Sequence, residues 1–235
     1  MSLRNWDNET WLSSKRYIQL FNDFLLKQVK LNRNSKILDV GCGRGKIIGS
    51  LSSRLKLKSK PIGIDIERHR DRDKRINFKK VNVIDFIKKN KKKFDLIMIK
   101  QTIHFFKYKE IKNLIYACKM QLNQNGKILI LSLETYNNEI PTFLLMKKKL
   151  KKSLDRDKKI IKYISKLYPK NKNKRFSFKV KISRDKYIEM IKNRYISTLL
   201  GFSLHDISKG INQINLKYKK ILSFNDKLIC LILDK

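Results

Sequence analysis

Lys36-Ile37-Leu38-Asp39-Val40-Gly41-Cys42-Gly43-Arg44-Gly45-Lys46 decides the fold of this 235-residue chain. An apolar run ends in three glycines at alternate positions, and an amphipathic stretch from Lys46 to Leu55 follows. The pattern reads as a strand, a tight turn and a helix N-terminus. Glycine tolerates positive φ and carries no Cβ, so a ligand can approach the backbone closely. The helix start adds unpaired N–H groups. A bare G-x-G-x-G is weak, because a glycine turn can simply reverse the chain. The order around it is more specific. A second strand, Lys60-Pro61-Ile62-Gly63-Ile64, is followed by Asp65, roughly the interval at which doubly wound folds place an acid on a ribose.

L-D-V-G-C-G-x-G resembles the first motif of class I S-adenosylmethionine-dependent methyltransferases, and Asp65 matches their ribose-binding acid. Dinucleotide enzymes fit less well, since they usually carry G-x-G-x-x-G and this chain has Gly49 but Lys46 at the third glycine position. The resemblance covers roughly residues 35–135. It implies a Rossmann-like α/β fold, a seven-stranded and mostly parallel sheet with helices on both faces and a helical lid. It also implies S-adenosyl-L-methionine as cofactor. Gly41, Cys42, Gly43 and Gly45 would then meet the amino acid part of the donor, and Asp39 would orient its ammonium through water. Asp65 would take the ribose hydroxyls, with Ile66 beside it. Relatives often end the third strand in Gly-Asp-Ala, whose Asp binds the adenine amino group. Val81-Asn82-Val83 stands there instead, so the Asn82 amide oxygen and the Val83 N–H take those contacts. Asp85 is expected to cap the next helix. Lys100 and Gln101 complete the cofactor set.

A second string, Phe94-Asp95-Leu96-Ile97-Met98-Ile99-Lys100-Gln101-Thr102-Ile103-His104-Phe105-Phe106, resembles the F-D-L-V-x-x-Q-A-x-H-W-F segment of small-molecule methyltransferases similar to trans-aconitate methyltransferase. Residues just past the fourth strand lie at the carboxyl edge of such sheets, where ligands bind. Gln101 and His104 are thus placed beside the transfer site, or else are a buried Gln and His satisfied by backbone. Arg194 and Tyr195 lie in a stretch loosely similar to the lid segment of the same group. There Arg194 would pair with a substrate carboxylate and Tyr195 would wall the pocket; an exposed helix Arg beside a core Tyr is the alternative. N/D-P-P-Y/F, frequent in RNA and protein amide methyltransferases of this fold, is absent, as is the Cys pair of cytosine-C5 enzymes. Exocyclic base amines are disfavoured as acceptors, while ribose and tRNA wobble-uridine carboxyl groups stay open.

The apolar fraction of 41% supports a packed core, and the length suits one α/β domain with an appended lid. No apolar run approaches the ~20 residues that cross a bilayer. The start of the chain lacks a secretory h-region, so a soluble, cytoplasmic protein is expected. Cys42, Cys118 and Cys230 form no CxxC pair, and His69, His104 and His205 are too dispersed for a metal site; no metal is expected. The 57 Lys and Arg against 20 Asp and Glu leave +37. Such an excess attracts polyanions. Lys, Asn and Ile are nevertheless abundant together, as an AT-rich genome would produce without selection for a ligand. Arginine, the better phosphate fork, clusters only at Arg68, Arg70, Arg72 and Arg75.

Apolar spacing predicts a helix over residues 8–30, in which Trp11, Arg16 and Tyr17 face either the active site or the core. Strands are expected at Lys36–Val40, Pro61–Ile64, Phe78–Val83, Phe94–Ile99 and Lys127–Leu133. Helices are expected at Lys46–Leu55 and Tyr108–Leu122, with a turn at Asn123–Gly126. Residues 141–168 read as helical and Pro169–Lys174 as a polar break. Phe176–Ile182 alternates as a half-exposed strand. Helices follow over Arg184–Leu199 and Leu204–Tyr218, then a turn at Phe224-Asn225-Asp226 and a last strand, Leu228–Leu233. One domain is expected, with residues 1–34 as helical cover, 35–135 as cofactor-binding core and 136–235 as lid helices and closing strands.

Methyl transfer from a sulfonium asks for binding, alignment and exclusion of water, and for a base only if the acceptor is protonated. No acid–base pair is visible in the sequence. A methyltransferase acting on a small, anionic metabolite, at a carboxylate or another oxygen, is the leading reading. An RNA methyltransferase whose lysines track phosphates is the alternative, and a non-catalytic basic partner protein is a third. The oligomeric state is not readable.

Overall fold

The structure, a computed structural model, describes residues 10–69 and 71–235. Asn8 and Glu9 of the expected leading helix, and Arg70 of the arginine cluster, lie outside the described residues.

Seven strands form one sheet in the order β3-β2-β1-β4-β5-β7-β6. They are β1 (Ile37–Val40), β2 (Ile62–Asp65), β3 (Asn77–Lys80), β4 (Phe94–Lys100), β5 (Leu122–Leu133), β6 (Lys172–Ser183) and β7 (Ile221–Asp234). The first five run parallel, which requires crossover connections between them. Strand β7 is antiparallel to both β5 and β6. Strand β4 is apolar throughout its middle because both its faces are covered. The helices are α1 (Lys15–Gln28), α2 (Lys46–Leu55), α3 (Val83–Lys89), α4 (Tyr108–Met120), α5 (Leu144–Leu167), α6 (Arg184–Lys192) and α7 (Leu204–Lys217).

Two apolar layers cover the sheet. Helices α1, α2, α6 and α7 pack on the side of Ile37, Leu96, Met98, Leu129 and Leu131. Helices α3, α4 and the end of α5 pack on the side of Leu38, Val40, Ile97, Ile99 and Ile130. Helix α1 contributes Tyr17, Phe21 and Leu25, all fully buried, each worth about 1.5–3 kcal/mol of burial. Among the described residues no helix is long and apolar enough to cross a membrane.

Several boundaries differ from the periodicity. The leading helix is broken at Ser14, whose hydroxyl accepts from Tyr17 N at 3.2 Å and starts α1; Trp11–Ser13 is a separate 3-10 turn. Strand β3 stops at Lys80 because Asn82 Oδ1 accepts from Ile84 N at 2.8 Å and opens α3. Asn82, not Asp85, is therefore the cap, and Asp85 sits in the first turn. The expected turn at Asn123–Gly126 is instead the bulged start of β5, where a Cβ on Gly126 would lie 2.6 Å from the Phe94 carbonyl oxygen. Helix α6 ends at Lys192, since Arg194 adopts φ +54° and Tyr195 N closes back on Met190 O at 3.0 Å. That is a left-handed helix stop without its usual glycine. Strand β6 starts early, at Lys172, and β7 runs straight through the expected Phe224–Asp226 turn. Its inward positions are Leu222, Phe224, Asp226 and Leu228.

Candidate active site

The carboxyl edge of β1 carries the glycine turn. Gly41, Gly43 and Gly45 have φ of +70°, +53° and +68°. At Gly41 an added Cβ would stand 2.1 Å from Thr102 Oγ1, so the turn lies directly against the segment after β4. At Gly43 an added Cβ would meet nothing within 4 Å, which leaves an open cradle above the backbone. Gly43 N donates to Asp65 Oδ2 at 2.8 Å and Glu67 N to Asp65 Oδ1 at 3.0 Å. Two backbone donors thus aim the Asp65 carboxylate at the end of β2 while each oxygen keeps lone-pair capacity. Ile66 beside it is 64% exposed, an apolar surface at the rim of the cradle. Cys42 packs under Gly63, and burial pushes its thiol pKa up, the opposite of a poised nucleophile.

Strand parity puts three charged groups on the α1 side of the sheet. Asp39 shares its face with Ile37, Lys100 with Leu96 and Met98, and Asp226 with Leu228, Cys230 and Ile232. Asp39 is buried, its Oδ1 has no hydrogen-bond partner, and burial raises its pKa to about 8. The Lys100 ammonium makes no ion pair among the described residues and lies 5.8 and 5.7 Å from the ring centroids of Tyr17 and Phe21. Loss of solvent lowers its pKa, against the opposing pull of Asp226 and Asp39. Asp226 is 1% exposed, and its Oδ2 accepts from Trp11 Nε1 at 2.9 Å. Its pKa is raised by burial, with Trp11 and Lys100 pulling the other way.

Aromatic rings wall this face. Trp11 meets Tyr195 and Phe224 edge-on, each at 5.3 Å, and Tyr195 meets Tyr187 at 5.7 Å. The Tyr187 and Tyr195 hydroxyls share a hydrogen bond of 2.9 Å, and Tyr187 also donates to Pro141 O at 2.5 Å. Tyr195 is therefore brought beside Trp11, whereas its neighbour Arg194 is buried with Nη1 donating to Leu199 O at 2.6 Å.

Past β4, Gln101 holds φ +52° with its N–H on Leu131 O, and Ile103–Phe105 forms a 3-10 turn. His104 faces α5. Its Nδ1 has no hydrogen bond and lies 3.9 Å from Asp157 Oδ2. Burial lowers its pKa most, Asp157 raises it and Arg156 lowers it, so the ring is neutral at pH 7. Asn82 spends its amide oxygen on the α3 cap, which leaves its NH2 group, and the N–H of buried Val83 follows it. The loop arginines are engaged internally: Arg44 with Asp71 at 2.7 Å and Arg75 with Asp73 at 2.6 Å.

Residues 37–126 match a family model described as a methyltransferase domain. No curated protein matches the chain. Among solved structures, the chain is similar to the plantazolicin methyltransferase BpumL, crystallised with a monoazolic desmethylPZN analogue and SAH. The identity is 17%, with 98% of this chain and 87% of that one covered and a TM-score of 0.54. A SAM-dependent methyltransferase from Archaeoglobus fulgidus is 19% identical, with 93% and 94% covered and a TM-score of 0.52. A precorrin-6y C5,15-methyltransferase from Geobacter metallireducens is 12% identical, with 97% and 96% covered and a TM-score of 0.53. At such identities the shared feature is the fold. The matched domain and that fold together support a methyltransferase enzyme of the class I kind that uses S-adenosylmethionine as cofactor. The residues fit that molecule: an open glycine cradle, an aimed carboxylate at the end of β2, and a buried carboxylate oxygen at Asp39 that lacks a donor.

Asp226 escaped the sequence reading because Asn225-Asp226 has turn composition. The signal was present in the alternation of Leu222, Phe224, Asp226 and Leu228, which places the acid on the buried face.

Proposed function

We propose that the protein transfers a methyl group from S-adenosylmethionine to a small, anionic metabolite, at a carboxylate or another oxygen. The donor supplies an electrophilic methyl carbon; the chain binds, orients and excludes water. Gly41, Cys42, Gly43 and Gly45 would take the amino acid part, Asp39 its ammonium, and Asp65 with Ile66 the ribose. Asn82 and Val83 would take the adenine. Lys100 and Gln101 would close the donor site from β4, and the segments 136–170 and 184–220 would close over the acceptor. The observation that supports a small acceptor is the aromatic cluster of Trp11, Tyr187, Tyr195 and Phe224, tied through the Trp11–Asp226 hydrogen bond to the sheet face that carries Lys100. Tyr195 lines this wall. The neutral His104 and Gln101 border the site, and Arg194, already bonded to a carbonyl, is the weakest anion partner of the set.

The RNA alternative has one observation in its favour, the exposed lysines of α5, among them Lys147, Lys148, Lys151, Lys152, Lys158 and Lys159. Against it, Arg44 and Arg75 pair with neighbouring aspartates. Asp65→Ala should weaken S-adenosylhomocysteine binding by about 1.5–3 kcal/mol in calorimetry, the scale for hydrogen bonds to a charged group; unchanged affinity would remove the donor cradle. Isotopically labelled donor with a cell extract should label small molecules, with little dependence on salt. Label in RNA, falling steeply with salt, would replace this reading with the alternative.

A further inference from the structure

Asp226 has a place in the molecule that its position in the chain does not suggest. It lies on the last strand, far in sequence from the glycine turn, yet its charge reaches Tyr17, Lys100 and Tyr195 from three other elements. Trp11 is its one hydrogen-bond donor among the described residues, and that bond uses Oδ2. Oδ1 is left to accept. The surroundings hold further polar atoms without partners. The Tyr17 hydroxyl, on a side chain that is 0% exposed, has none. Asp39 Oδ1 has none, and the Lys100 ammonium lies over the Tyr17 and Phe21 rings with the charges of Asp226 and Asp39 acting on it. Buried polar atoms are paired as a rule, so the unpartnered Tyr17 hydroxyl and Asp39 Oδ1, on the same sheet face as Lys100 and Asp226, call for a polar partner.

The charges say which ligand. Asp39 and Asp226 flank one ammonium. Asp39, on β1 next to the glycine turn, belongs to the donor. Asp226, bonded to Trp11, which itself meets Tyr195 and Phe224, lies on β7, on the far side of β4 and β5 from the glycine turn. A carboxylate acceptor would be repelled there and would have no proton to give up. A hydroxyl would donate its hydrogen to Oδ1, and an anionic group elsewhere on the same molecule would meet Lys100.

Resting on the methyl-transfer reading above, we propose that Asp226 is a catalytic base facing the transferred methyl, and that the methylated oxygen is a hydroxyl rather than a carboxylate. A lone pair of the acceptor oxygen forms the new O–C bond as the C–S bond breaks and leaves its electron pair on sulfur. The O–H proton passes to Asp226 Oδ1 and from there to solvent when the product leaves. Burial favours the protonated carboxyl, which suits a group that must accept a proton.

Sinefungin tests this without an acceptor, since it carries an ammonium-bearing carbon where the donor carries its sulfonium methyl. Calorimetry should find that the wild-type protein binds sinefungin at least tenfold more tightly than S-adenosylhomocysteine. Asp226→Asn, which can still accept from Trp11, should erase that preference and leave S-adenosylhomocysteine affinity within about threefold of wild type. A preference retained in the variant, or absent from the wild type, overturns the proposal. Equal loss of both ligands also overturns it, because Asp226 would then be structural. If the wild type binds neither molecule, the donor reading itself fails and the base falls with it.

Discussion

The two halves of the proposed site are built differently. The donor half comes from one stretch of chain, β1 through the start of α3, and its working parts are backbone: three positive-φ glycines and two N–H groups that aim Asp65. The acceptor half would gather Trp11, Tyr187, Tyr195, Phe224 and Asp226 from separate parts of the sequence, and its working parts are side chains. On this reading a backbone cradle would bind the part of the ligand that stays the same, and replaceable side chains would bind the part that can vary. A change in the first half should strike donor binding and stability together, whereas one in the second should separate them.

Gly41→Ala should have the largest effect. The new methyl carries both a left-handed backbone and a 2.1 Å approach to Thr102, a combined cost of about 3 kcal/mol in urea unfolding with at least tenfold weaker S-adenosylhomocysteine binding. Gly43→Ala, facing open space, should cost only about 1 kcal/mol; equal effects would deny that Gly41 is held against the β4 segment. Trp11→Phe tests the other half. It removes a donor to a buried carboxylate, so unfolding should ease by about 1.5–3 kcal/mol while S-adenosylhomocysteine affinity stays put. A matching loss of affinity would mean that the halves are not separable.

Asp39→Asn should change stability in the opposite sense, and only at the upper end of the pH range. The folded carboxyl has a pKa of about 8, against about 3.9 in the unfolded chain. Between those values the native state holds the extra proton, so wild-type stability falls as pH rises from about 4 to about 8. The amide cannot ionise, so the variant should be flatter across that window and more stable than wild type at pH 8, with weaker donor binding. Identical pH profiles would mean that Asp39 is solvated.

How far the sequence could be read follows the same division. Helix α2 falls on the residues that periodicity marks, and β1, β2 and β4 fall within a residue or so, because a buried parallel strand and an amphipathic helix write their packing into local composition. The start of α6 is legible but its end is not, since Arg194 adopts a conformation that glycine usually signals. Strand β7 was read short because Asn225-Asp226 looks like a turn; Glu139 holds Asn225 outward and Trp11 holds Asp226 inward.

Lys36 to Lys46, with Asp65 after the next strand, was enough by itself to determine the α/β class and the glycine turn at the end of β1, because steric limits on φ act over a few residues. Only the tertiary structure decided that Asp226, Lys100 and Trp11 meet. Their encounter depends on antiparallel pairing of β7 with β5 and on α1 crossing the same face, and pairing over such distances is set by the burial of whole surfaces rather than by any neighbouring residue.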